Sequence, residues 1–207
     1  RKTAPCPPGT SMIDQRGTTD ADHSEAIIAA LQDARERQSP VYINGGGSKR
    51  DLIGRRCDAT ELDVSAHRGI TAYHPGELVI TARAGTPLAE IVATLAEQKQ
   101  ILSFEPPLFG GKATLGGTLA CNLSGPGRPW GGSIRDMVLG VQMINGKCER
   151  LTFGGQVMKN VAGYDVSRLQ AGALGTLGVL TEISLKVLPL LQKTLTLQYA
   201  MPADEAV

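Results

Sequence analysis

The sequence predicts an α+β fold in two unequal parts, on three observations. A helix-period segment, a short apolar strand and a run of three glycines come first, within residues 20–48. From His67 onward, apolar and polar residues alternate, and Asn145-Gly146 separates two such runs as a hairpin turn would. Glycine-rich clusters recur at Asn44–Ser48, Ala113–Thr118, Asn122–Pro126 and Ala171–Gly178. A doubly wound parallel sheet would alternate strands with helices throughout, so the predicted architecture is a small N-terminal α/β subdomain followed by a larger antiparallel sheet with helices.

The elements follow in order. Arg1–Gly17, with Pro5, Pro7 and Pro8, reads as a poorly ordered lead-in rather than a signal peptide. A helix is expected over about Ser24–Gln38, capped by Asp22 or Ser24, with Ile27, Ile28, Leu31 and Ala34 on one stripe and Pro40 ending it. Val41–Ile43 is a strand that delivers the first glycine loop, and Glu61–Val64 a second strand parallel to it. These make up a subdomain over 18–66. Gly69–Tyr73 and Leu78–Ala84 read as antiparallel strands joined by the turn His74-Pro75-Gly76-Glu77. Thr86 should cap a second helix with Pro87 in its first turn, and Leu88, Ile91, Val92 and Leu95 should face the core. Val138–Ile144 and Cys148–Phe153 form the hairpin, a short helix lies near Ser167–Ala171, and a long strand covers Val179–Leu188, completing a second subdomain over 67–190. Thr194–Ala200 reads as a fresh strand and Asp204-Glu205-Ala206 as a helix start, so 191–207 is expected to open a further C-terminal domain that is cut short.

Composition narrows the function. The 207 residues carry a net charge of +1 with acids and bases mixed, which argues against nucleic acid as partner. Only 4% are aromatic, so aliphatic side chains must fill the core. The most apolar stretch, Leu177–Leu191, is broken by Glu182, Lys186 and Pro189 and does not suit a transmembrane span. Cys6, Cys57, Cys121 and Cys148 form no C-x-x-C pair and no histidine stands at ligand spacing from them; no metal site is expected. Buried free thiols point to a reducing, cytoplasmic compartment, with the surface of the inner membrane as the alternative. Asn122-Leu123-Ser124 then fits a glycosylation pattern by accident.

The glycine clusters carry the chemistry. Asn44, Gly45, Gly46, Gly47 and Ser48 follow a strand, but no helix starts inside the loop as a Rossmann fingerprint requires, and no G-x-x-x-x-G-K-[ST] is present. Successive N–H groups in such a loop suit a diphosphate, and Lys49 and Arg50 add positive charge beside them. A Cβ at Gly46 is expected to fall where a phosphate oxygen sits. The stretch Ala113–Pro126 holds little that can fill a core, so its backbone is expected to lie flat against a planar ligand, with Thr114, Thr118, Asn122 and Ser124 as hydrogen-bonding groups. Lys159 and Asn160, in the polar turn Val157–Asp165, suit a ring carbonyl or a negative charge; Asp165 suits a helix cap equally well. His23, His67 and His74 lie outside the clusters and read as structural or solvent-exposed.

In this order the motifs resemble the FAD-binding domain of the vanillyl-alcohol oxidase family, also called the PCMH type, over about residues 20–190. The correspondence runs through the first loop, Ala113–Gly117, the bend Ser124-Gly125-Pro126 and the strand start Gly175–Glu182. Within it, Glu105-Pro106-Pro107, Gly127–Asp136, Val157–Asp165 and Leu177–Pro189 are similar to the E subunits of bacterial glycolate oxidases. The resemblance implies FAD as cofactor. The backbone of Gly45, Gly46, Gly47 and Ser48 would meet its pyrophosphate. Thr114, Gly116, Gly117 and Thr118, with Asn122, Ser124, Gly125 and Pro126, would line the ribityl and flavin region, and Gly178, Val179 and Leu180 would meet the adenine end. Lys159 would stand near the flavin and favour its anionic reduced form. Some members attach the flavin to a histidine of the first loop; none stands here, so the flavin should be noncovalent. The resemblance also implies a related flavoprotein D subunit, an iron–sulfur F subunit and oxidation of glycolate or another 2-hydroxy acid to the 2-oxo acid. No catalytic residue is expected within these residues, so the isolated chain should be inactive. A stand-alone FAD-linked oxidase or reductase of the same fold, and an assembly scaffold without flavin, are the alternatives.

Overall fold

The computed structural model describes residues 20–52, 58–155, 163–198 and 200–202. Helix α1 (Ser24–Glu36) begins after Asp22, whose carboxylate accepts the Ser24 N–H at 2.9 Å. Its Ile27 and Ala34 are buried, with Ile28 and Leu31 beside Ile27 against the neighbouring strands. Strands β1 (Val41–Asn44) and β2 (Thr60–Asp63) pair in parallel, Val41 opposite Thr60 and Asn44 opposite Asp63. This is the predicted small α/β unit.

The larger part is a five-stranded antiparallel sheet. Its strands are β3 (Ile70–His74), β4 (Val79–Arg83), β6 (Val138–Ile144), β7 (Arg150–Gly154) and β8 (Val179–Lys186), in the order β3-β4-β8-β6-β7. The long strand β8 is thus central, between the two hairpins. Residues Pro75–Glu77 form a tight helical turn between β3 and β4 where the sequence predicts a turn. In the second hairpin the Asn145 side chain accepts the N–H groups of Lys147 and Glu149, at 2.9 and 3.0 Å. Helices α2 (Leu88–Glu97), α3 (Leu115–Cys121), α4 (Arg128–Gly131), α5 (Ile134–Met137) and α6 (Val166–Leu169) lie between the strands in sequence, and β5 (Gln100–Ile101) pairs with β9 (Leu188–Pro189). Leu88, Ile91, Leu95, Phe104, Leu115, Leu119, Ile134, Ile183 and Leu185 make the main core. Each such side chain contributes about 1.5–3 kcal/mol by leaving water. A second cluster, Ile27, Val64, Ile144 and Val179, joins the α1–β1–β2 unit to the end of the sheet.

The structure corrects several expectations. Thr86 does not cap α2: its hydroxyl clasps Gly69, accepting the N–H at 2.9 Å and donating to the carbonyl at 3.1 Å, and Pro87 occupies the cap position. Val92 is 39% exposed, at the edge of the α2 face that carries Leu88, Ile91 and Leu95. The stretch after Ala113 is not a flat polar loop. It forms α3, and its Leu115 and Leu119 are core residues, four apart on one helix face. Thr194–Gln198 pairs with no strand among the described residues, and Leu195 and Leu197 stand exposed. Asp165 does cap α6, accepting the Arg168 N–H at 3.0 Å. The lead-in 1–17, Cys6, Cys57 and the helix start at Asp204 lie outside the described residues.

Candidate functional site

Between the β1–β2 unit and α3 runs a cleft of about 140 Å³. Its floor and walls come from the end of β1, the loop Gly45–Arg50, the first and last turns of α3, and Leu174, Gly175, Gly178 and Leu180 before and within β8. Of the predicted site residues, Asn44, Gly45, Gly46, Gly47, Ser48, Thr114, Gly116, Gly117, Gly178 and Leu180 all line this one cleft. They come from three separate stretches of chain.

Local sequence explains why the loop lies there. Gly46 passes so close to the 108–114 segment that an ideal Cβ would stand 1.8 Å from the Lys112 carbonyl oxygen. Glycine at this position is therefore required by protein backbone before any ligand is considered, which differs from the phosphate-clearance role expected from sequence. Gly116 does the same for α3, since a Cβ there would lie 2.7 Å from the Cβ of Ala84 on the sheet side. With α3 held against the sheet, Gly117, Ala120 and Cys121 turn toward the cleft, at the i, i+3, i+4 spacing of one face. Thr114 caps the helix through its Oγ1, which accepts the Gly117 N–H at 3.3 Å.

The loop presents unsatisfied donors. Among the described residues, the N–H groups of Gly46, Gly47 and Ser48 make no hydrogen bond to the protein. Lys49 is 8% exposed and lines the same cleft. Burial pushes its ammonium pKa down, and the nearby Cys121 sulfur opposes that shift. The same burial pushes the Cys121 thiol up, with Lys49 pulling it back. Arg50 is engaged elsewhere, stacked on Tyr42 and paired with Glu61 at 3.3 Å. Asn44 donates its side-chain N–H to Glu61 Oε1 at 2.6 Å, so it offers the cleft its position rather than its amide. Among the described residues no carboxylate belongs to the cleft lining. The donor set is that of an anion site.

The remaining predicted residues lie differently. Thr118 is fully buried and donates its hydroxyl to the Thr114 carbonyl at 2.9 Å, inside the helix. Val179 is buried in the second core cluster. Asn122, Ser124, Gly125 and Pro126 follow α3 beyond the cleft lining. There Asn122 Oδ1 and Ser124 Oγ, together with Ser103 Oγ, are buried without any hydrogen-bond partner. Orphaned polar atoms of this kind suit a polar ligand group. Lys159 and Asn160 lie outside the described residues. Sequence reasoning missed Cys121, Ala120, Ala84 and Leu174 as cleft residues. The signal for the first two was the helical spacing from Gly117, masked by reading the stretch as a loop.

The histidines stand apart from the cleft. His67 is buried, accepts the His23 N–H on Nδ1 at 3.0 Å and donates from Nε2 to the Thr181 carbonyl at 3.0 Å, tying α1 to β8. His23 and His74 are exposed. Among the described residues no cluster suits a metal ion, and no helix is long and apolar enough to cross a membrane.

Comparison with known proteins agrees with this geometry. Residues 17–154 match the model of the FAD binding domain family. The chain is 50% identical over 188 residues to a protein of Escherichia coli K12 named glycolate oxidase subunit GlcE, covering 91% of this chain and 53% of that protein. It is 36% identical over 170 residues to glycolate oxidase subunit GlcD of Bacillus subtilis, covering 81% and 36%. It is 27% identical over 192 residues to a D-lactate dehydrogenase of Archaeoglobus fulgidus, covering 88% and 41%. The chain thus spans about half or less of the length of these relatives. A solved alkyldihydroxyacetonephosphate synthase superposes with a TM-score of 0.66 at 23% identity, covering 84% of this chain and 31% of that one, and shows the same fold.

Proposed function

We propose, from the premise that this chain belongs to the FAD binding domain family, that it holds FAD noncovalently in the cleft between β1–β2 and α3. The observation that carries the reading is the convergence in one cleft of three free backbone N–H groups, one buried lysine and the small-residue face of α3. The amides of Gly46, Gly47 and Ser48, with Gly45 beside them, would hold the pyrophosphate. Thr114, Gly116 and Gly117 would line the ribityl region, with Thr118 fixing the helix beneath them. Asn122 Oδ1 and Ser124 Oγ, lacking protein partners, fit polar groups of the cofactor, and Gly125 and Pro126 shape their turn. Gly178, Val179 and Leu180 would bound the adenine end. Val64, Ala84 and Leu174 give the cleft apolar walls. For Lys159, outside the described residues, the resemblance alone supports a role near the flavin. Bound FAD supplies the capacity to accept two electrons from substrate. That no histidine lines the cleft among the described residues supports noncovalent attachment.

For the full-length protein the proposed activity is oxidation of glycolate or a related 2-hydroxy acid to the 2-oxo acid. It would act within a complex that includes a related flavoprotein D subunit and an iron–sulfur F subunit, at the cytoplasmic side. The similarity to glycolate oxidase subunits GlcE and GlcD supports the reaction and a related D subunit; the F subunit and the compartment rest on the resemblance alone. The present chain would bind and orient the cofactor without performing the oxidation. Such chemistry needs a base for the hydroxyl proton and cations for the carboxylate, and no described histidine or arginine other than Arg50 lines the cleft. The test is to load the chain with FAD, add glycolate without air and follow bleaching of the flavin bands. The proposal expects no bleaching, and flavin in the supernatant after acid precipitation. Bleaching at the rate of the whole complex would move the catalytic groups into this chain, and flavin in the pellet would establish a covalent bond.

A further inference from the structure

We infer that Lys49 is a countercharge kept without a carboxylate partner so that the pyrophosphate of FAD becomes its partner. This rests on the FAD reading above and adds a side chain to a site otherwise built from backbone. Lys49 is buried to 92%, the complement of its 8% exposure, yet among the described residues no acid pairs with it. Its Nζ has one long hydrogen bond, donated to Ser48 Oγ at 3.3 Å, and stands 5.4 Å from the centre of the Phe109 ring. A Cβ added at Gly117 would lie 3.6 Å from it, so the ammonium reaches the cleft face of α3. The aromatic face and one hydroxyl leave ammonium protons unused.

A buried ammonium without a counterion is costly, and proteins normally pair such a group. Among the described residues, further unsatisfied donors lie in the same loop and line the same cleft: the free N–H groups of Gly46, Gly47 and Ser48. All four donors call for one acceptor-only anion. Of the groups on FAD, the pyrophosphate alone carries that charge at neutral pH. The burial that penalises Lys49 in the flavin-free protein is the burial that strengthens its attraction to phosphate once FAD is in place.

The experiment uses the full-length protein stripped of flavin, with FAD and riboflavin as probes, in wild type, Lys49→Gln and Lys49→Arg. Lys49→Gln should weaken FAD about 10- to 100-fold, the loss of one charge-assisted hydrogen bond. It should flatten the salt dependence of FAD binding and leave riboflavin, which has no phosphate, unchanged. The melting temperature of the flavin-free variant should equal or exceed that of wild type, since a buried unpaired charge has been removed. Lys49→Arg should retain more FAD affinity than Lys49→Gln. Unchanged FAD affinity in Lys49→Gln overturns the inference while leaving the FAD reading intact. Equal weakening of riboflavin overturns it by placing Lys49 at the flavin ring, and a fall in flavin-free stability overturns it by making the lysine structural. A wild-type protein that takes up no FAD removes both this inference and the reading beneath it.

Discussion

Gly46→Ala should destabilise the protein before any ligand is added. The new Cβ would stand 1.8 Å from the Lys112 carbonyl oxygen and 2.9 Å from its carbon. Neither side yields easily. The 108–114 segment is held by the Ala113 N–H to the Leu108 carbonyl at 3.2 Å and by the Ala113 carbonyl to the Leu88 N–H at 2.8 Å. The loop side continues directly from β1, which is paired along its length with β2. Overpacking of this kind costs about 1–3 kcal/mol, and for a chain of this size about 2–4 °C of melting temperature goes with each kcal/mol. The flavin-free variant should therefore melt about 2–12 °C lower than wild type. Gly117→Ala is the contrasting variant. Its Cβ would meet Thr114 Oγ1 at 3.1 Å and the flexible end of Lys49 at 3.6 Å, on the cleft side of α3. It should keep the flavin-free melting temperature nearly unchanged while weakening FAD. Thermal unfolding of both variants, with and without FAD, separates the two cases. An unchanged melting temperature in flavin-free Gly46→Ala would refute the close approach of the loop to Lys112.

Thr114→Val removes the oxygen that accepts the Gly117 N–H; the loss of this cap should cost about 1 kcal/mol and lower the melting temperature by about 2–4 °C. His67 has its pKa lowered first by burial and then by Arg83, so the unfolded chain binds the proton more readily. Its contribution is complete above the ordinary histidine pKa, about 6.5, and is lost as pH falls below it. Unfolding followed from pH 8 to about 5.5 should show that decline, and His67→Gln should shrink it. Asp22, held down to about 2 by its hydrogen bonds from Ser24, stabilises above the ordinary carboxylate range and loses that contribution as pH falls through about 4 toward 2; Asp22→Asn should therefore flatten a second unfolding profile carried from about pH 5 down to about 2.

Much of this was legible in the sequence, for identifiable reasons. The α1 stripe, the β1 glycine loop and the Asn145-Gly146 turn are local signals, and each produced the element it announces. The cleft residues Gly45–Ser48 and Gly116–Gly117 were visible as glycine clusters because close approach leaves no room for a Cβ. What the sequence hid was which backbone each glycine approaches: Gly46 meets Lys112 and Gly116 meets Ala84, contacts more than 30 residues distant in the chain. Helix α3 was missed because Gly116, Gly117 and Thr118 are poor helix formers, and packing of Leu115 and Leu119 overrides that preference. Thr86 looked like a cap because its place before Pro87 fits one, and a long-range bond to Gly69 took the hydroxyl instead.

The central claim is that FAD occupies the cleft between β1–β2 and α3, and Cys121 reports on it. Its thiol lines that cleft, whereas Cys148 follows the Asn145-Gly146 turn of the hairpin and is absent from the cleft lining. Alkylation of the flavin-free protein at mildly alkaline pH, repeated with saturating FAD and read residue by residue by mass spectrometry, tests the claim directly. FAD should slow labelling of Cys121 severalfold and leave Cys148 unchanged. Stoichiometric FAD binding with Cys121 labelled at the flavin-free rate would place the cofactor elsewhere and contradict the account.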